Sequence, residues 1–82
     1  MVSDKIKALL NIKGKKYKEL AQLFGISEQA IRNKFARGSF SADELIRIAD
    51  FVNCQLAFNI DADQKVILTI EDLRNPVTNT EK

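Results

Sequence analysis

The stretch "LAQLFGISEQAIRNKFARG", Leu20–Gly38, decides the fold. Leu20, Ala21, Leu23 and Phe24 fall at the spacing of one helical face, and Gly25 follows them directly. A glycine there permits the positive φ that ends one helix and opens a sharp turn. Ser27 is a natural cap for the next helix, because its hydroxyl accepts from one of the first free amides. Ala30, Ile31 and Phe35 then supply the inner face of that helix. The stretch therefore predicts two short helices held at a fixed angle by Ile26 and Ile31. Ile26 is expected to fill the space between them, and Ala21 stays small so that they can cross closely. Glu28, Gln29, Arg32, Asn33 and Arg37 are left facing outward. That face is either an ordinary solvated surface or a surface aimed at a ligand.

The flanks extend the pattern. Residues 3–13 predict a first helix with Ile6, Leu9 and Leu10 inward, Ser3 as its cap and Gly14 as its stop. A short loop, "GKKY", leads to the helix over 17–24. After the loop "RGSF", with Phe40 folding back toward the core, Ser41 and Glu44 match the capping box S-x-x-E. Leu45, Ile48, Ala49 and Val52 mark a fourth amphipathic helix ending near Asn53. The period then changes to two. Cys54, Leu56, Phe58 and Ile60 alternate with Gln55, Ala57, Asn59 and Asp61, and Val66, Leu68 and Ile70 alternate with Ile67, Thr69 and Glu71. These are two strands of a hairpin joined by the turn "DADQ". Residues 73–82 are polar, contain the only proline and read as a frayed tail. The expected division is 1–53, a helical domain; 54–72, a β-hairpin; and 73–82, a flexible tail.

Composition narrows the function. With 82 residues the chain is one small domain with a modest core, to which a second subunit would add support. No apolar run approaches the roughly 18 residues of a membrane span, and "MVSDKIKALL" lacks a signal-peptide pattern. The expectation is a cytoplasmic protein. There is no histidine and a single cysteine, Cys54, so no intrachain disulfide is expected. Without histidine, a glycine-rich phosphate loop or paired metal-ligand spacing, neither an enzyme, a cofactor nor a metal is expected. The charge is uneven. Residues 1–53 carry seven Lys and three Arg against six acids, net +4, and residues 54–82 carry three bases against five acids, net −2. The first part suits a polyanion and the second a different task. Ordinary surface charge is the plainer alternative.

"YKELAQLFGISEQAIRNKFARG" followed by "SADELIRIADFVN" resembles the lambda-repressor-like, Xre-type helix-turn-helix domain over about residues 3–53. The resemblance implies a mainly α, four- to five-helix DNA-binding domain, here followed by a C-terminal β-hairpin, and double-stranded DNA as the partner. It places Glu28, Gln29, Arg32 and Asn33 where base edges are read. Lys18, Lys34, Arg37 and Ser39 fall where phosphates are contacted, and Arg32 also lies near the DNA backbone. Gln and Asn can bond adenine bidentately, and Arg and Lys neutralise phosphates. Tyr17 stands where the family caps its second helix with Thr or Ser. Lys34 stands where an apolar residue is common, with Phe35 taking the core role. Glu28 either accepts from a cytosine amine or pairs with Arg32 one turn later.

The hairpin admits two readings. It packs back on its own helices, or two chains join hairpins into a four-stranded sheet through Leu56, Phe58, Ile67 and Leu68, giving a two-fold homodimer. The expected function is a sequence-specific transcriptional regulator, a repressor of phage or mobile-element type acting as a dimer on a palindromic operator. The alternative is a protein-interaction adaptor or antitoxin-like module that uses the hairpin.

Overall fold

All three glycines of the chain end helices. α1 (Val2–Lys13), α2 (Tyr17–Phe24) and α3 (Glu28–Arg37) each run into a residue in the left-handed region, at Gly14, Gly25 and Gly38. At Gly25 the φ is 68°, and two reversed hydrogen bonds close the end. The Gly25 N–H donates to the Gln22 carbonyl (3.2 Å) and the Ile26 N–H to the Ala21 carbonyl (3.0 Å). α4 (Ala42–Phe51) is closed in the same way by Asn53, at φ 60°, with Cys54 N–H donating to the Ala49 carbonyl. Asn is the non-glycine residue best suited to that conformation. The computed structural model describes residues 1–74. It is mainly helical, with four α-helices followed by an antiparallel pair, β1 (Leu56–Asn59) and β2 (Lys65–Leu68), and a 3₁₀ turn (Ile70–Asp72).

The chain resolves into two compact units, Met1–Ser41 and the part from Ala42 onward, so α4 groups with the hairpin. In the first unit Ile6, Leu10, Leu20, Ala21, Ile31 and Phe35 are buried, and Leu20 and Ile31 are wholly shielded from solvent. Burying a side chain of that size stabilises by about 1.5–3 kcal/mol, against about 1 kcal/mol for a helix cap. Packing, more than capping, therefore holds α2 against α3. Phe35 anchors an aromatic row, with the Tyr17 ring 4.7 Å and the Phe40 ring 5.1 Å away, the latter edge-on. Phe40 thus folds back as expected.

In the second unit Ile46, Ile48, Ala49, Val52 and Leu73 are buried. Ile46 takes a place that the spacing had given to Leu45, which is half-buried. The hairpin pairs Leu56 with Leu68, Ala57 with Ile67, Phe58 with Val66 and Asn59 with Lys65. Its turn is tied by Asp61, whose carboxylate accepts from the Asp63 and Gln64 amides at 2.9 Å each.

Several expectations are corrected. Ser3 is not a cap but a buried residue within α1. The start of that helix is tied by Asp4 instead: its amide donates to the Met1 carbonyl at 3.0 Å, and its carboxylate accepts from the Met1 ammonium at 3.0 Å. That ammonium holds the Asp4 carboxyl below its ordinary pKa. The cap of α2 is Lys16 rather than Tyr17, and Glu19 reaches back to accept from the Lys16 amide at 3.0 Å. Ile26 is not part of the buried core as expected. The residue is 39% exposed, and it serves the turn through its backbone N–H.

The second strand stops at Leu68 rather than continuing through Ile70. Thr69 and Asp72 compete for the backbone there: Thr69 N–H donates to the Asp72 carboxylate at 2.8 Å, and Glu71 N–H donates to the Thr69 hydroxyl at 3.2 Å. Residues 73 and 74 do not belong to a tail. Leu73 is buried, and the Arg74 amide donates to the Asp43 carboxylate at 3.1 Å. The rest of the expected tail, 75–82, lies outside the described residues.

Gly25→Ala tests the turn in isolation, because an added Cβ meets nothing within 4 Å and only backbone strain remains. The expected loss is about 1–2 kcal/mol by urea denaturation, with Gly25→Asn losing less.

Candidate nucleic-acid interface

The outward face of α3 is set by its own ends and by its buried ones. Ser27 caps the helix, its hydroxyl accepting from the Ala30 amide at 3.0 Å. Ile31 and Phe35 point into the first unit. With 3.6 residues per turn, that leaves Glu28, Gln29, Arg32 and Asn33 outside, and all four are exposed. They are not independent of one another. The Arg32 guanidinium donates to the Glu28 carboxylate at 2.8 Å, and the Gln29 amide donates to the Asn33 side-chain carbonyl at 3.2 Å. The four candidate readers thus form two parallel i,i+4 pairs. An exposed pair of this kind stabilises the helix by only about 0.2–0.5 kcal/mol, so its main effect is to fix where each side chain points.

Acid and base are placed favourably along the axis. Glu28 opens α3, and Lys34 and Arg37 lie in its last turn, which complements the helix dipole. Of the remaining candidates, Lys18 is exposed in the first turn of α2, and Arg37 and Ser39 are exposed at the end of α3. Lys34 is half-buried, with its ammonium 5.6 Å from the centre of the Phe40 ring.

Two features of this face were not foreseen from the sequence. The first is Tyr17. Its ring lies beneath Arg32, 5.5 Å from centroid to guanidinium carbon, while it packs on Phe35. Arg32 is therefore held on two sides, by Glu28 and by an aromatic face. The second is a depression of about 530 Å³ whose lining includes Lys7, Lys15, Lys16, Lys18 and Arg32, with Glu28 at the same site. Five cations converge there from α1, the loop after it, α2 and α3. The run Lys13–Lys18 signals part of this cluster in the sequence, but Lys7 and Arg32 join it only through the packing of three helices.

The hairpin candidates sit in the second unit. Leu56, Phe58 and Leu68 share one face with Val66, whereas Ile67 shares the opposite face with Ala57. Phe58, Ile60 and Val66 are exposed by 67%, 64% and 54%, far more than the half-burial of Leu56 and Leu68. Among the described residues no three of His, Cys, Asp and Glu gather as metal ligands. Among the described residues no helix is long and apolar enough to cross a membrane.

The chain belongs to the family described as Domain of unknown function (DUF6471), whose profile matches residues 1–57. The match takes in all four helices, every candidate on α3 and the first two residues of β1. No curated protein and no solved structure matches the chain.

The cap on α3 gives a direct test of how this face is held. Ser27→Ala is expected to lower stability by about 1 kcal/mol in thermal or chemical denaturation, and Ser27→Asp to restore most of it.

Proposed function

We propose that this protein is a sequence-specific regulator of transcription that binds double-stranded DNA, a repressor of phage or mobile-element type acting as a dimer at a palindromic operator. One observation carries the proposal. Four side chains able to read base edges stand in two ordered pairs on one exposed helix face, beside a depression lined by lysines. A merely solvated face needs neither the ordering nor the adjacent concentration of positive charge.

In this reading α2, the turn at Gly25 and α3 are a helix-turn-helix, and α3 enters the major groove. Gln29 and Asn33 each carry a donor and an acceptor, which match N7 and N6 of adenine. Their mutual hydrogen bond limits the rotamers that must be ordered on binding. Lys18, Lys34, Arg37 and Ser39 contact phosphates and set register. The activity is binding, with no catalytic step assigned to any residue.

The hairpin supports the dimer. Its exposed Phe58, Ile60 and Val66 form an apolar patch that a second copy would cover, and each strand retains an open edge in a two-stranded sheet. A two-fold dimer offers one copy of α3 to each half of a palindromic site.

Gln29→Ala or Asn33→Ala is expected to cost about 1–3 kcal/mol on the selected operator and nothing on random duplex. Lys18→Ala is expected to weaken binding to all sequences and to reduce the salt slope by about one. Equal losses on random DNA for all three variants would remove the assignment of readers. In sedimentation at micromolar concentration the full chain is expected to run as a dimer and Phe58→Glu as a monomer; a monomeric wild-type chain would exclude the dimer.

A further inference from the structure

Glu28 is the residue on the α3 face that a DNA-binding role explains least. A carboxylate held near phosphates lowers affinity for every duplex, since like charges repel. It also lines the depression in which Lys7, Lys15, Lys16 and Lys18 gather. Three observations bear on it. Its carboxylate accepts from Arg32 at 2.8 Å; the Arg32 guanidinium lies over the Tyr17 ring at 5.5 Å; and Tyr17 is itself fixed against buried Phe35, with ring centroids 4.7 Å apart. Arg32 is an exposed residue on an open helix face, yet it is restrained by a partner on its own helix and by another on α2.

Resting on the DNA-binding reading above, we propose that Glu28 is a positioning residue that holds Arg32 against Tyr17, so that Arg32 reads a guanine in the major groove. The donor count permits it. A guanidinium has five N–H donors and the contact with Glu28 uses one of its nitrogens, while guanine O6 and N7 ask for two donors in one plane. A flexible arginine can swing to the nearest phosphate instead. Glu28 opposes that motion from one side and Tyr17 braces it from the other, so the cation is kept for the base edge. Glu28 thus exchanges general affinity for discrimination at one base pair. Its place in the first turn of α3 also complements the helix dipole.

The test is competition binding of the full chain on its selected operator and on single-base variants of it, together with random duplex. Arg32→Ala is expected to lose the preference for guanine at one position by about 5- to 150-fold, and Arg32→Lys to lose most of it. Glu28→Ala is expected to lower the preference at that same position by about 1.4- to 2.3-fold while raising affinity for random duplex. Simple damage to α3 would lower both quantities, so the opposite signs identify positioning. Glu28→Gln, which keeps an acceptor oxygen, is expected to fall between wild type and Glu28→Ala. In an Arg32→Ala background the Glu28 substitution is expected to leave base preference unchanged.

The inference is overturned if Glu28→Ala leaves the guanine preference intact, or if it alters a position that Arg32→Ala does not. It is also overturned if Arg32→Ala weakens all sequences alike, which would make Arg32 a phosphate contact and leave the DNA-binding reading standing. A wild-type chain that enriches no sequence from a random pool overturns both.

Discussion

The junction of α2 with α3 is the constraint on which the rest of the first unit depends. Two forces meet there. The left-handed residue at Gly25 turns the chain between α2 and α3, and the burial of Leu20, Ala21 and Ile31 holds the helices together. The two terms differ in size. A side chain in place of Gly25 would cost about 1–2 kcal/mol in strain, whereas the wholly buried Leu20 and Ile31 each contribute about 1.5–3 kcal/mol. The turn makes the arrangement possible and the packing makes it stable. Once Ile31 and Phe35 are committed inward, helical geometry alone decides that Glu28, Gln29, Arg32 and Asn33 face out.

The outward face is organised by weak interactions whose value is orientation. The Glu28–Arg32 and Gln29–Asn33 contacts are exposed, so neither adds much to stability. Each removes freedom from long side chains that would otherwise sample many rotamers, and that is a saving in ordering entropy when a rigid partner arrives. Tyr17 joins this face to the interior: one side of its ring meets Phe35 and Arg32 lies over the ring. The positive depression beside it is a property of three helices taken together, since Lys7 and Lys18 are eleven positions apart and Arg32 is fourteen further on.

The second unit follows a different logic. Its helix buries a strip along Ile46, Ile48 and Ala49, with Val52 buried just beyond its end, yet its hairpin leaves Phe58, Ile60 and Val66 in solvent. A two-stranded hairpin is marginal on its own. Here it is closed at one end by the Asp61 turn and at the other by the Thr69–Asp72 exchange, after which Leu73 and Arg74 return to α4. Local side-chain bonding, not loss of hydrophobic pattern, ends the second strand.

The sequence by itself determined the elements and most of their ends. Apolar spacing gave four helices, Gly14, Gly25 and Gly38 marked three stops, and the change to alternation after Asn53 marked the hairpin. These are local signals, carried within a turn or a few residues. What it misread has a common cause. Ser3 has the chemistry of a cap but lies inside α1; Ile26 has the chemistry of a core residue but is exposed; and Leu73 opens a polar segment but is buried. Residue type states what a side chain can do, and neighbours distant in sequence decide what it does. The outward candidates on α3 were legible from periodicity, and the Glu28–Arg32 pair was legible as one of two options. That Arg32 also rests on Tyr17, and that lysines from three segments surround them, was settled only by packing, because such contacts depend on how helices meet and leave no mark in the local sequence.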